Sequence, residues 1–304
     1  MGSCFSENIG QKLSQFKFRT DINPFGTLYN PLSIGAAVEI LKEKKKYTSQ
    51  DLILQNGVYH SMDHHSQFSS VSEKECLSAI NDRIEFSSGT LKKTNIVFIT
   101  FGTRYVYTDK FSGKVVANCH KLPEMLFNRY PLDICDIVEA GIKLISSLKQ
   151  ISPDIKCIFT VSPIRHWKDG AHNNQLSKAA LLIAIDGIQK AHPDSTAYFP
   201  AYEILMDELR DYRFYADDML HPSPLAVEYI WQRFAETFIH PDSISIMKEW
   251  SHIVKAIQHK PFNSQSEQYR NFILQTLLKI ERIKEKFPSF DIEKELSILK
   301  SKLN

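Results

Sequence analysis

Ser3, Asp218 and His221 are the residues whose types and spacing could do chemistry. Gly2-Ser3-Cys4-Phe5 sets a small flexible residue and a hydroxyl immediately before a helical pattern. A hydroxyl at a helix N-terminus lies beside free backbone N–H groups and the positive end of the helix dipole, both suited to a developing oxyanion. Asp218-Met219-Leu220-His221-Pro222 places a carboxylate three residues before an imidazole. That carboxylate can orient the ring and stabilise its charged form, leaving the other nitrogen to take a serine proton. Neither half is specific alone. Asp169-Gly170-Ala171-His172 has the same spacing, and an isolated Asp218/His221 reads as a loop ion pair capping the next helix.

Other candidates carry less. His64-His65 falls in a polar loop, and adjacent histidines rarely share one metal. Cys119 and His120 are chain neighbours whose side chains point to opposite faces of an extended segment, although His120 could still line a pocket. Arg165-His166 follows a strand directly, where a substrate contact and a loop ion pair are both reasonable. Arg210 and Arg213 read as structural partners of Asp207, Asp211 or Glu203 rather than as a clamp. Met1-Gly2-Ser3-Cys4-Phe5-Ser6 also fits the short myristoylation pattern, which has many chance matches. No P-loop, GxGxxG or HExxH occurs, so nucleotide and zinc-protease readings lack support, and no cofactor or metal is expected.

The elements that must position these residues alternate. Asn95 to Phe101 and Lys156 to Val161 are apolar runs that read as buried strands, and Thr196 to Phe199 as a shorter third. Helical periodicity covers Ser6 to Phe16, Pro31 to Lys44, Val71 to Leu91, Asp133 to Gln150, Asn173 to Lys190 and Leu225 to Ile239. Gln55 to Ser70 reads as polar and irregular. Strands alternating with long helices predict a mostly parallel sheet, with chemistry at the carboxyl ends of its strands. The tail predicts two or three helices, at about 243–258, 266–286 and 290–302, so the expected domains are 1–242 and 243–304.

Composition bounds the partners. The chain has 304 residues, 43% hydrophobic and 24% charged, with a formal net charge of +2. That balance gives no argument for a nucleic-acid or membrane partner. Five widely spaced cysteines without a CxxC pair favour a reducing compartment. No apolar run approaches the roughly 20 residues of a membrane span. The first residues lack a secretory pattern, so a cytoplasmic location is expected.

Taken in order, the N-terminal Gly-Ser, the later glycine turns and the Asp-x-x-His before a closing helix resemble the SGNH hydrolase arrangement. Gly2-Ser3-Cys4-Phe5-Ser6-Glu7-Asn8-Ile9-Gly10 resembles the signature that names the GSCFA family. So do Asn23-Pro24-Phe25-Gly26-Thr27, Thr100-Phe101-Gly102-Thr103, Val116 to Lys121, Thr160 to His166 and Tyr198 to His221. The likeness runs from residue 2 to about 240, with an echo at His259-Lys260-Pro261-Phe262.

This resemblance implies a flavodoxin-like three-layer α/β/α fold and esterase chemistry on a small-molecule or carbohydrate acyl ester. Ser3 takes the nucleophile's position, and Asp218 and His221 those of the supporting pair. The implied oxyanion donors are the N–H groups of Ser3 and Gly26 plus a side chain. Where many members read Gly-x-Asn, this chain reads Gly102-Thr103-Arg104, leaving the third donor open among Thr103, Arg104 and Asn118. Losing one such donor typically costs on the order of 100-fold in rate. Arg104, His120, Arg165 and His166 are the substrate-contact candidates. The same residues would serve an acyltransferase, and a non-catalytic binding module is the third possibility. Only Met1 and Gly2 precede Ser3, where this fold runs a strand into the nucleophile, so a start about twenty to forty residues upstream is expected.

Overall fold

The computed structural model describes residues 1–259, 261–263, 265–288 and 290–303; Lys260 of the His259-Lys260-Pro261-Phe262 sequence echo lies outside them. In chain order the elements begin with helix α1 (Cys4–Gln15), helix α2 (Pro31–Glu43) and the strands β1 (Ile53–Gln55) and β2 (Val58–His60). Helix α3 (Glu73–Leu91) and strands β3 (Ile96–Phe101), β4 (Tyr105–Asp109), β5 (Val115–Val116) and β6 (Phe127–Pro131) follow. Then come α4 (Ile134–Ile151), β7 (Lys156–Val161), α5 (Gly170–Ala191), β8 (Thr196–Tyr198) and a helical turn α6 (Ala201–Glu203). The helices α7 (Pro224–Phe238), α8 (Pro241–Gln258), α9 (Glu267–Lys286) and α10 (Glu293–Ser301) complete the chain.

The fold is α/β. β3, β7 and β8 form a parallel sheet in that order, with β3 and β7 paired along all six residues. Both strands are buried on both faces: Val97, Ile99 and Phe101 alternate with Thr100, and Cys157, Phe159 and Val161 with Ile158 and Thr160. That two-sided burial is why each reads as an unbroken apolar run. On the free side of β3 the first residues run parallel to it. The Thr100 N–H donates to Met1 O at 3.0 Å, and Gly2 forms a parallel bridge with Thr100.

The helices start where their caps dictate. Asn30 Oδ1 accepts the Ser33 N–H at 2.8 Å ahead of Pro31, and Ile34, Ala37, Val38 and Leu41 form the buried stripe of α2. Ser72 caps α3 in the same way through the Glu75 N–H. Among the described residues no helix is long and apolar enough to cross a membrane.

Two small sheets depart from the sequence reading. The irregular stretch 55–70 contains the antiparallel pair β1/β2, which turns on Asn56-Gly57, both at positive φ. Between β3 and α4 lies an antiparallel sheet of order β5-β4-β6. Its strands are short and half exposed, so no apolar run announces them.

The chain divides into two compact units, one of residues 1–11 and 21–231, the other of residues 12–20 and 232–304. The second has its own core of Trp250, Ile253, Tyr269, Ile273, Ile280, Ile283 and Leu299. Trp250 donates its indole N–H to Gln15 O at 3.0 Å, and Lys17 pairs with Glu295 at 2.8 Å.

Candidate active site

Gly2 can lie against β3 only because it lacks a side chain. Its φ is +129°, and a Cβ there would stand 2.2 Å from Thr100 O. Ser6 secures the same turn, donating its hydroxyl to Thr100 Oγ1 at 2.6 Å. Ser3 therefore emerges at the head of α1, level with the carboxyl end of β3. Its Oγ accepts the Phe5 N–H at 3.3 Å, and its own N–H makes a long bond of 3.4 Å to Thr100 O. The Cys4 N–H has no acceptor among the described residues. Ser3 is fully shielded from bulk water, yet it borders a cavity of about 270 Å³.

His221 borders that cavity too. Its loop is closed by a Tyr215–Pro222 bridge and by the Ala216 N–H donating to His221 O at 2.8 Å, with Met219 turned to a φ of +61°. Asp218 Oδ1 accepts the N–H groups of Leu220 and His221, each at 2.9 Å, and Oδ2 lies 2.5 Å from His221 Nδ1. The backbone donors of His221 and Leu220, then the imidazole, hold the Asp218 carboxyl down to about 2. An ionised carboxylate only accepts, so the His221 ring donates from Nδ1 and Nε2 is left facing away from Asp218.

The remaining walls come from strand ends and from the small antiparallel sheet. Gly102 passes close to His166 and Tyr29, where a Cβ would come within 3.2 Å of His166 Nε2 and 3.0 Å of Tyr29 O. His166 Nε2 is buried without a partner among the described residues. Burial first, then the charges of Lys178, Arg129 and His221, push its pKa down to about 3, so the ring is neutral. Lys178 on α5 is fully buried and donates to Gly102 O and Ser162 O, both at 2.7 Å, tying together the ends of β3 and β7. Burial lowers its ammonium to about 7. Two neighbours on the same helix face complete the bracket: Asn174 accepts the His166 N–H at 3.0 Å, and Ser177 Oγ accepts the Arg104 N–H at 2.9 Å.

Of the other residues singled out in the sequence, Thr103, Arg165 and His166 border this cavity. Gly26, Arg104, Asn118 and His120 do not. The Gly26 N–H donates to Asn23 O at 2.7 Å, and a Cβ there would strike His65. Thr103 spends its N–H on Tyr29 O at 2.9 Å, and its hydroxyl meets Ser177 Oγ at 3.2 Å and accepts the Tyr105 N–H at 3.1 Å. Asn118 Oδ1 accepts the His120 N–H at 2.8 Å. His120 donates from Nε2 to Ser61 O at 2.7 Å and stacks on His60, with ring centres 4.5 Å apart.

Asn30, Tyr105, Tyr107 and Arg129 also line the cavity and were not singled out by sequence. With its Oδ1 capping α2, Asn30 has no acceptor for Nδ2 among the described residues. The period-two run Tyr105-Val106-Tyr107 around the fully buried Val106 was the available signal for the sheet wall. No group of three or more His, Cys, Asp or Glu side chains among the described residues is arranged to hold a metal ion.

A family model described as "GSCFA family" matches residues 1–234, and one described as "GSCFA domain protein, C-terminal domain" matches residues 250–304. No curated protein matches the chain.

Proposed function

Because the chain belongs to the GSCFA family, we propose that it is a serine ester hydrolase of the SGNH type, with the flavodoxin-like three-layer arrangement of that superfamily. The observation that carries this reading is the shared cavity: Ser3 and His221 both border it, and His221 is held by Asp218 with Nε2 free. Ser3 Oγ attacks the acyl carbonyl while His221 Nε2 takes its proton. The tetrahedral oxyanion is met by the Cys4 N–H at the head of α1 and by Asn30 Nδ2, both without acceptors among the described residues. Collapse expels the alcohol, which receives the proton from His221, and leaves Ser3 acylated. Water, deprotonated by the same imidazole, then releases the acid and restores the serine. Asp218 stabilises the imidazolium throughout without itself taking a proton.

At about 270 Å³ the cavity is just below the roughly 300–1,000 Å³ range of ligand sites, which suits a small acyl group such as the acetyl of an acetylated sugar. Shielding of Ser3 from water supports a second outcome for the same acyl-enzyme, transfer to another alcohol. Hydrolysis of p-nitrophenyl acetate is the test. Wild type should turn it over, Ser3→Ala should fall to background, and His221→Ala should lose about 1,000-fold or more in kcat. Activity that survives Ser3→Ala removes the nucleophile assignment. Adding a small alcohol and measuring acetyl transfer against acetate release separates transferase from hydrolase.

A further inference from the structure

The charge of the cavity is unbalanced. Four ionised side chains line it, Arg129, Arg165, Lys168 and Asp169. Arg129 is matched by an ion pair with Asp169, and its guanidinium lies over the Tyr105 ring at 4.1 Å. Lys168 turns outward to Glu124 at 2.7 Å, where both side chains are largely in water. Arg165 has no carboxylate within reach among the described residues. Its Nη2 donates to Tyr215 OH at 2.8 Å and its guanidinium stacks on that ring at 4.5 Å. A phenol and a π-face orient a guanidinium without neutralising it, and four of its five N–H donors stay uncommitted. The other titratable groups at this wall cannot supply the missing charge. The His166 ring is neutral, and the Asp218 carboxylate is engaged by His221 and two backbone N–H groups.

We propose that the ester accepted by this cavity bears a single carboxylate, and that Arg165 binds it. The proposal rests on the esterase reading above and names its substrate class. One unmatched guanidinium balances one negative charge, and its planar fork matches the two oxygens of a carboxylate. Tyr29, Tyr105 and Tyr107 line the same cavity, and their rings lower its dielectric, which strengthens the attraction. Tyr215 joins Arg165 to the loop of His221, so carboxylate binding is positioned beside the catalytic base.

The test uses two matched ester pairs on the full chain. For an acyl-side charge, mono-p-nitrophenyl succinate is compared with p-nitrophenyl pentanoate; for an alcohol-side charge, p-acetoxybenzoate with its methyl ester. Wild type should favour at least one anionic member by tenfold or more in kcat/KM. Arg165→Gln should reduce that ratio at least tenfold, and Tyr215→Phe, which keeps the guanidinium, should retain it. No anionic preference in wild type, or a preference that survives Arg165→Gln, overturns the proposal. If wild type hydrolyses no ester, the enzymatic reading fails, and the charge is judged separately by binding. Quenching of tryptophan fluorescence gives the Kd of mono-p-nitrophenyl succinate for Ser3→Ala with and without Arg165→Gln. Tenfold weaker binding in the double variant upholds carboxylate recognition, and equal Kd values reject it.

Discussion

His221 has its direction set by Asp218 rather than by burial. Both side chains are about half exposed, and the carboxylate sits in a nest of two backbone N–H groups while it holds Nδ1. A depressed carboxyl favours the ionised form in the folded protein, so its contribution is complete above the usual Asp value and is lost as pH falls through about 2. We therefore expect the carboxyl carbon of Asp218, followed by NMR, to titrate near pH 2, and any acid limb of activity above pH 4 to belong to another group. A midpoint near 4 would show that the nest is not formed. Asp218 and His221 were legible as a pair because three-residue spacing lets the carboxylate meet the ring. Asn30 was not, because an asparagine before a proline reads fully as a helix cap. Gly26 read as an oxyanion donor, but its N–H is used in closing its own turn.

At the scale of elements, the site depends on α5 changing character along one face. Its first turns present Asn174, Ser177 and Lys178 to the strand ends, and later turns bury Leu181, Ile185 and Ile188. Lys178→Met would leave Gly102 O and Ser162 O without their donor, at about 1–3 kcal/mol each, partly offset by no longer burying an ammonium. A net loss of about 2–4 kcal/mol in urea unfolding is expected. The sign with pH is distinctive. The folded ammonium titrates at about 7 and the unfolded one at its ordinary 10.5, so between these values the unfolded chain binds more protons and stability rises with pH. Wild type should gain stability relative to Lys178→Met from pH 7 to 10; a constant difference would mean that burial does not lower the Lys178 ammonium and that it stays protonated throughout. The sequence disclosed the strands with both faces covered and the capped helices. It concealed β4, β5 and β6, which are short and give no long apolar run, and with them the wall carrying Tyr105, Tyr107 and Arg129.

Over the whole molecule, residues 3 and 221 border one cavity, and the parallel sheet is what makes that reach possible. The first residues pair with β3, β3 with β7, and the loops leaving all three meet where the His221 loop closes. Sheets of this kind gather their chemistry at the carboxyl ends of the strands, whatever the separation along the chain. The C-terminal unit, by contrast, was legible as two or three helices, of which the structure has three, and carries none of the cavity-lining residues. The most direct measurement is covalent capture of the nucleophile: a fluorophosphonate probe, peptide mass spectrometry to locate the adduct, and the labelling rate in His221→Ala. The account requires the adduct on Ser3, none in Ser3→Ala, and labelling slowed at least 100-fold without the imidazole. An adduct on another residue, or labelling of Ser3 at an unchanged rate without His221, would contradict it.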